Sequence, residues 1–418
     1  MNTKAENKWV KWEVLLLLWM AYLLNQADRQ VFNTVLPAIK ESLNLTDTSV
    51  GLIATIFNLF YACLVPVGGL VGDRYSRKWV TTLSILFWSV ATMFTGLANG
   101  VFLLIVMRSM ATGGGEAMFG PANYSLLGQY HTETRARAMS IHQTAYYVGV
   151  IMAGWLAGLI ADRMGWRSSF LIFGGAGVIW AVIMIIRLKD KPLTDAEKKA
   201  LQEKKPSITD GFRVVFTTPT ALFLTFGFSG LIFVITGFMT WIPAYLQEEL
   251  HQSQEAAGFN SMFYAYVAAF VGVLIAGSLS DRFGSVRHRV RMDLQGWGLI
   301  IGALFLFLMG GSNLCLLYIC FAGWGFFRAF FDANTYAVLY DVTPSHLHAS
   351  CSSAMIMTGF AVGSFAPVVL GMIKQSVGTL EATFPILGII WVVCGILMLI
   401  VSRIYYQRDY LRMTELAK

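Results

Sequence analysis

Two adjacent charged residues, Asp28 and Arg29, interrupt an otherwise apolar stretch from Val14 to Leu36. A stretch of that length is long enough to cross a bilayer, which takes about 20 apolar residues in a helix. A charge at that depth is costly unless it is paired or faces a wet cavity, so it marks a functional site by default. Neighbours on a helix point about 100° apart, so these two side chains cannot pair with each other. Each needs a partner elsewhere, unless the helix is broken there, and we interpret both as part of a transport site.

A second acid and base, Arg108 and Glu116, supply candidate partners in a later apolar stretch. Eight positions correspond to about 80° after whole turns of an α-helix, so both side chains are expected on roughly one side. Three glycines between them, at 113–115, allow close helix approach or local flexing. The alternative interpretation of the four charges is a structural network of ion pairs that locks helices together.

Further polar side chains lie in the apolar stretches that follow. His142, Gln143, Tyr146 and Tyr147 recur with helical spacing and predict one polar stripe, suited to hydrogen bonds with substrate hydroxyls or to helix packing. Asn123 and Tyr124 are weaker candidates of the same kind. Arg328 and Asp332 are four residues apart and can pair within one helix, so they are either structural or a second anion contact.

The elements that carry these residues are expected to be membrane helices. Of the 418 residues, 56% are hydrophobic and only 13% are charged, about half the charged share of a typical soluble protein. Apolar stretches of about 20 residues predict twelve spans, near 13–37, 49–71, 79–98, 101–127, 138–161, 168–187, 219–247, 257–280, 293–311, 314–341, 351–373 and 383–406. The five cysteines fall within apolar stretches without metal-ligand spacing and are expected to be small hydrophobic residues.

Basic residues predict the orientation of these spans. With the N-terminus inside, the cytoplasmic segments carry 24 Lys and Arg residues and the outer loops carry 4, which favours both termini in the cytoplasm. The net charge of +7 is therefore a signal of topology rather than of nucleic-acid binding. A lysine-rich segment, 188–218, separates two sets of six spans, and within it Thr194–Glu197 predicts the start of a short polar helix.

The two sets of spans share a repeated loop. Gly72–Lys78 follows span 2, and Ser280–Arg289 follows span 8, with Asp73 and Asp281 separated by about half the chain. The chain therefore divides into an N-terminal half (1–187), a cytoplasmic linker (188–218) and a C-terminal half (219–418). Two parallel halves with a central site are a known transporter architecture. The fold class expected is an all-α membrane protein.

Together these features resemble the major facilitator superfamily over the whole chain. Within it, Asn25-x-x-Asp28-Arg29-Gln30, Arg108-x4-Gly-x-Gly-Glu116-Ala and Arg135-x-Arg-Ala138 are similar to two groups. One is the anion:cation symporter family, whose members carry sugar acids such as hexuronates and sialic acid. The other is the Spinster family, associated with lysolipid and sphingolipid export. Tyr75–Lys78 resembles the second group, and Pro121 the first.

The resemblance implies roles for individual residues. It implies proton coupling by Asp28 and Glu116, and anion binding or gating by Arg29 and Arg108. The repeated loops are expected to hold one conformation shut, although positive charge there could simply anchor topology; the gating residues expected are Asp73, Arg74, Arg77, Asp281 and Arg282.

The function expected is proton-coupled symport of a small organic anion such as a hexuronate, aldonate or sialate, by alternating access. The alternative within the fold is a Spinster-like lipid exporter. An enzyme would need a metal cluster or a nucleophile constellation, and a receptor would need an output domain, neither of which the sequence offers. We expect no cofactor and no metal, a proton or sodium gradient as driving force, no nucleic-acid partner, and a monomer in the bacterial inner membrane.

Overall fold

The protein is helical throughout the part that the structure describes. This computed structural model describes residues 8–131, 135–189, 208–284, 287–311, 313–344 and 347–416, and these ranges contain no β-strand. The predicted polar helix after Thr194 lies outside the described residues.

The chain divides into two compact units, Met1–Glu203 with Leu246–Phe259, and Lys204–Tyr245 with Asn260–Lys418. The helices from the N-terminus to residue 187 are α1 (Lys8–Thr34), α2 (Leu36–Ser42), α3 (Asp47–Arg74), α4 (Arg77–Thr95), α5 (Val101–Leu104), α6 (Gly113–Tyr130), α7 (Arg135–Met164) and α8 (Trp166–Arg187). A π-helix, which we call the π segment, joins α5 to α6 over Ile105–Thr112.

The later helices are α9 (Ile208–Thr217), α10 (Pro219–Glu248), α11 (Gln254–Gly284), α12 (Val290–Phe307), α13 (Leu314–Asp341), α14 (His348–Gly363), α15 (Ala366–Val377), α16 (Thr383–Ile404) and α17 (Tyr406–Leu416). The end of α10 and the start of α11 belong to the first unit. Predicted span 11 is divided into α14 and α15, where Pro367 occupies the first turn of the new helix.

Ten stretches of the described chain are long and apolar enough to cross a membrane, and they correspond to ten of the twelve predicted spans. The other two predicted spans form helices, α1 and α4, that are not among those ten. The multi-pass helical architecture is thus confirmed, whereas the count of twelve spans stays a prediction, as do the domain boundaries and the location of the termini.

Hydroxyl caps and close helix contacts build the first unit. Thr46 and Ser76 accept hydrogen bonds from backbone N–H groups in the first turns of α3 and α4, which satisfies donors that a helix start leaves open. The helices then pack in pairs, α1 on α7, α3 on α6, and α4 on α8. A side chain at Gly149 would overlap Leu23 of α1, so α7 approaches α1 closely there.

Large aromatic side chains fill the core of the second unit. Trp324 of α13 stacks on Phe238 of α10 at 4.0 Å between ring centroids, and it lies 5.8 Å from the Trp391 ring of α16. All three rings are buried. They fix the three helices against one another around the middle of α13, which carries Arg328.

Candidate functional site

The central feature of the first unit is an ion pair between α1 and α6. Arg29 Nε donates to Glu116 Oε2 at 2.6 Å, and the Glu116 side chain has no exposed surface. The Arg29 side chain retains 19% exposure. The pairing expected between predicted spans 1 and 4 is therefore present. Glu116 is fully buried, and Arg29 is partly exposed.

Aromatic rings of α3 also contact the guanidinium of Arg29. Its guanidinium carbon lies 4.3 Å from the ring centroid of Tyr61 and 5.5 Å from that of Phe57. A guanidinium over a ring face gains about 1 kcal/mol or more where water is scarce. Arg29 is thus held in place by stacking as well as by its carboxylate partner, so loss of the carboxylate alone would not release it.

Arg108, on the π segment, lies next to this pair. Its Nη2 donates to the backbone oxygen of Arg29 at 3.3 Å, and its guanidinium carbon lies 4.2 Å from the centroid of Phe57. Among the described residues, its Nε and Nη1 have no hydrogen-bond partner, although the residue is only 5% exposed. A buried guanidinium with open donors is suited to accept an anion, because an unmet buried donor costs free energy.

Asp28 completes the cluster on the α4 side. The residue is buried, and its Oδ2 accepts a hydrogen bond from Thr92 Oγ1 at 3.2 Å. It interacts electrostatically with Arg108 and with Glu116. Asp28, Arg29, Arg108 and Glu116 therefore form one cluster of two acids and two bases, with formal charge zero when all four are ionised.

A second polar cluster lies farther along α1 and α6, where α7 also contributes a side chain. Asn123 Nδ2 and His142 Nε2 are 2.9 Å apart, and both residues are fully buried. The imidazole stacks on the Tyr22 ring at 4.8 Å, and it meets the Tyr124 ring edge-on at 5.3 Å. Asn123 Oδ1 has no partner among the described residues. The cluster offers amide, imidazole and phenol groups to a polar ligand.

Helix geometry sets the spacing of the two clusters. Tyr22 precedes Arg29 by seven residues, and Asn123 follows Glu116 by seven, which is about 10 Å along either helix. The first unit thus carries a charged end and an uncharged hydrogen-bonding end about two helical turns apart. Such a pair of ends is matched to a ligand with a carboxylate at one end and hydroxyls at the other.

The remaining members of the predicted stripe on α7 are placed differently. Tyr146 and Tyr147 are half-buried and meet each other edge-on at 5.3 Å, whereas His142 is fully buried. Gln143 lies outside the described side chains. The predicted single stripe is therefore divided between a buried histidine and a more accessible tyrosine pair.

In the second unit, Arg328 is paired within its own helix as predicted. Its Nε lies 3.2 Å from Asp332 Oδ2, and the two side chains are 4% and 36% exposed, respectively. The guanidinium carbon lies 5.1 Å from the Tyr266 ring and 5.5 Å from the Trp324 ring. This pairing is compatible with both interpretations, a structural anchor and a contact for a substrate anion.

The predicted gating loops are only partly described. The side chains of Asp73, Arg74 and Asp281 lie outside the described residues, so those predictions are untested. Ser76 caps α4 immediately before Arg77, whose buried Nε has no partner among the described residues. The Arg282 guanidinium carbon lies 5.7 Å from the ring of Phe283.

Several residues of the site were missed by the sequence analysis. Tyr22, Phe57, Tyr61 and Thr92 contact the predicted residues directly, yet in an apolar helix such side chains usually pack against neighbours or lipid. Spacing gave a signal, because Tyr22 lies two turns before Arg29, and Phe57 and Tyr61 are four residues apart. Tyr61-Ala62 also belongs to the motifs that resemble the two transporter groups. No group of metal-ligating side chains occurs among the residues that the structure describes.

Long apolar helices in two units, with a buried cluster of balanced charges in one of them, define a multi-pass membrane carrier. The chain matches the family model described as Major Facilitator Superfamily over residues 18–292 and 245–409. The protein belongs to this superfamily of transporters and is therefore a carrier of small molecules rather than an enzyme.

Individual relatives fall into both groups that the sequence resembles. A hexuronate transporter of Bacillus subtilis is 26% identical, with 90% of this chain and 91% of that protein covered. The protein spinster homolog 1 of Xenopus laevis is 25% identical, with 87% of this chain and 73% of that protein covered. Among solved structures, a bacterial homolog of the human lysosomal transporter Spinster, inward-facing and unoccupied, has a TM-score of 0.79 at 21% identity, with 97% of this chain and 99% of that chain covered. This last likeness supports the fold alone.

Proposed function

We propose that the protein is a symporter of a proton and a small sugar acid, a hexuronate or an aldonate, which it moves by alternating access. The observation that carries the proposal is the Arg29–Glu116 pair, in which a partly exposed arginine side chain is bound to a fully buried carboxylate. The names of two relatives, a hexuronate transporter and a probable L-galactonate transporter of Escherichia coli, support the same class of substrate.

Charge balance supplies the reason for coupling. The four-residue cluster has no net formal charge, so an entering carboxylate leaves it with one negative charge in excess. A buried unpaired charge costs several kcal/mol, which opposes movement of the loaded carrier. One proton per monovalent anion restores neutrality, and this is the stoichiometry we propose.

Glu116 is the proposed acceptor of that proton. When the substrate carboxylate takes the guanidinium of Arg29, Glu116 loses its ion-pair partner in a place with no exposed surface. Stacking on Tyr61 and Phe57 keeps Arg29 in position during the exchange. Substrate binding and proton uptake thus favour each other, and the coupling is reciprocal. Asp28, buried beside Thr92 Oγ1, is the second candidate acceptor.

The uncharged cluster supports a hydroxylated substrate. Asn123, His142, Tyr22 and Tyr124 lie about two turns from Arg29, within reach of the far end of a six-carbon acid. A site built to hydrogen-bond a hydroxyl discriminates strongly against a ligand that lacks it, since its buried polar groups are then left without partners. A lipid tail at this end would leave Asn123 and His142 without polar partners from the substrate.

Uptake into proteoliposomes tests the proposal. Purified protein is supplied with labelled glucuronate, galactonate or sialate, with an inward proton gradient, an inward sodium gradient or neither. We expect saturable accumulation of a sugar acid that needs the proton gradient and acidifies the interior. Accumulation driven by sodium alone would overturn the proton assignment. Efflux of a lysolipid, without uptake of any acid, would favour the Spinster-like alternative instead.

This proposal includes the cellular setting. We propose a monomer in the bacterial inner membrane with both termini in the cytoplasm, which acts without a cofactor and draws on the proton gradient. The orientation rests on the excess of Lys and Arg in the predicted cytoplasmic segments.

A further inference from the structure

The π segment, Ile105–Thr112, interrupts an otherwise α-helical membrane span at the position of Arg108. π-helical turns are rare, occur mostly as single insertions in α-helices, and are frequent at functional sites. Replacement of α-helical bonds by wider turns brings no packing advantage of its own. A segment of this kind at the buried Arg108, beside the Arg29–Glu116 pair, therefore calls for a reason in the site.

The π segment changes the direction in which Arg108 points around the helix axis, relative to Glu116. In a continuous α-helix, Arg108 and Glu116 would be separated by about 80° around the axis. A π turn holds more residues than an α turn, so each residue advances less around the axis, and the four steps from Arg108 to Thr112 reduce that offset. Both side chains can then face α1. Arg108 reaches the backbone oxygen of Arg29, and Glu116 reaches its side chain.

Two hydroxyl groups hold the wide turn. Thr112 Oγ1 donates to Met107 O, five residues back, at 2.9 Å. In regular helices of this protein, threonine hydroxyls such as that of Thr95 reach four residues back instead. Ser109 Oγ donates to Ile53 O of α3 at 2.6 Å, which ties the same turn to the neighbouring helix. Thr112 and Ser109 are both fully buried, so water does not compete for these bonds.

We propose that Thr112 is a positioning residue that keeps the π segment wide and thereby aims the guanidinium of Arg108 at the substrate anion. This inference rests on the proposed binding of the substrate carboxylate at Arg29, and it adds Arg108, whose Nε and Nη1 have no partner among the described residues, as a second contact. Without the hydroxyl bond, the segment relaxes toward an α-helix, and Arg108 turns away from α1. Ser109 supports the same geometry from the α3 side.

The test compares Thr112→Val, which removes the hydroxyl at nearly constant volume, with Thr112→Ser, which keeps it. Thr95→Val is the matched control, because it removes a buried hydroxyl from a regular helix in the same unit. We expect Thr112→Val to raise KM for the sugar acid about tenfold with a smaller change in kcat, since ground-state anion binding is lost. We expect Thr112→Ser and Thr95→Val to stay within about twofold of the wild type.

Structures of the wild type and of Thr112→Val provide a readout that does not depend on the substrate. We expect residues 105–112 to become α-helical in the variant, with the guanidinium of Arg108 displaced from Arg29 O. A wild type that transports no sugar acid would refute the proposed function. The two structures would still show whether Thr112 keeps the π segment wide and positions Arg108. A π segment unchanged in Thr112→Val, or equal transport defects in Thr112→Val and Thr95→Val, would overturn it.

Discussion

Arg29 combines an exchangeable partner with a fixed position. Its bond to Glu116 can be replaced by a bond to another carboxylate, whereas its stacking on Tyr61 and Phe57 does not depend on which anion is bound. A guanidinium presents a planar fork of donors that matches a carboxylate, which a lysine ammonium does not. If Arg29 binds the substrate anion as proposed, recognition is expected to depend on the shape of the guanidinium as well as on its charge.

The first prediction concerns this fork. We expect Arg29→Ala and Arg29→Lys each to reduce uptake of the sugar acid by about 10- to 100-fold in kcat/KM, because a charge-assisted bond of roughly 1.5–3 kcal/mol is lost. Concentration-dependent uptake into proteoliposomes measures the effect. Arg187→Lys is the control, since that arginine forms an exposed pair with Glu13 and such pairs contribute little.

Full activity of Arg29→Lys would show that only the positive charge matters. Equal losses for the acid and for its neutral sugar analogue in Arg29→Ala would make the residue structural instead.

At this scale the sequence revealed the charges but not their surroundings. The cost of placing Asp28, Arg29, Arg108 and Glu116 in apolar stretches makes them visible in any single sequence. Tyr61 and Thr92 carry no such cost, because a tyrosine or threonine in a membrane helix is satisfied by packing or by its own backbone. Their part in the site becomes visible only when α3 and α4 are placed beside α1.

At the scale of elements, the helices were predictable and their irregularities were not. Length and hydropathy located nearly all of the membrane helices, since a bilayer demands both. The α-helical geometry assumed between Arg108 and Glu116 does not hold over Ile105–Thr112, where the π segment lies. Periodicity over eight residues is too short a pattern to distinguish a π-helical turn from an α-helical one.

The second prediction concerns the packing of α13 on α11. A Cβ atom at Gly325 would overlap the backbone oxygen of Ala265, and backbone atoms cannot yield as a flexible side chain can. We expect Gly325→Ala to lower stability by about 1–3 kcal/mol, as overpacking commonly does. Thermal unfolding in detergent measures the shift in Tm. Gly277→Ala in α11 is the control, because its Cβ would meet open space and alanine favours a helix.

If Gly325→Ala unfolds at the same temperature as Gly277→Ala, then α11 and α13 do not approach as closely as described.

The third prediction concerns His131, which follows the end of α6. Its Nε2 donates to Lys11 O at 2.8 Å, and its ring meets Trp12 edge-on. Burial lowers the pKa of His131 below its ordinary value, while the bond to the Lys11 carbonyl opposes that shift. The unfolded chain then binds this proton more readily than the folded protein, so stability is greatest above the ordinary pKa of histidine and declines as the pH falls below it.

We therefore expect the wild type to lose more Tm than His131→Gln between about pH 8 and pH 5.5, a range that spans the ordinary titration of histidine. Parallel unfolding curves at a series of pH values measure the difference. A pH dependence that is identical in the two proteins would contradict the described burial of this ring.

At the scale of the whole molecule, the repeat and the charge asymmetry predicted a membrane carrier. The match to the family model confirms this prediction. The repeat and the charge asymmetry do not predict the substrate. In the proposed function, the substrate is selected by a few contacts around Arg29 and Asn123, and these depend on helix packing rather than on the pattern of spans. The domain division and the gating roles of Asp73 and Asp281 stay predictions, and they belong to this scale because they concern the equilibrium between conformations.

The proposed proton coupling also belongs to this scale, because it requires that the carrier reorient only when its buried charge is balanced. Glu116→Gln replaces the carboxylate by a neutral group of nearly the same shape, and so imitates a permanently protonated acid. Such a carrier is expected to bind and exchange the anion without a proton. Asp28→Asn, at the second acid of the cluster, and Glu13→Gln, at an exposed acid, are the comparisons.

The most direct test measures two activities of Glu116→Gln in the same proteoliposomes, accumulation of labelled sugar acid under an inward proton gradient and counterflow exchange without a gradient. We expect accumulation to be abolished while exchange persists with a flattened pH dependence, and we expect Glu13→Gln to retain both activities. Accumulation by the wild type that ignores the proton gradient, or Glu116→Gln and Asp28→Asn variants that both still concentrate the substrate, would contradict the account.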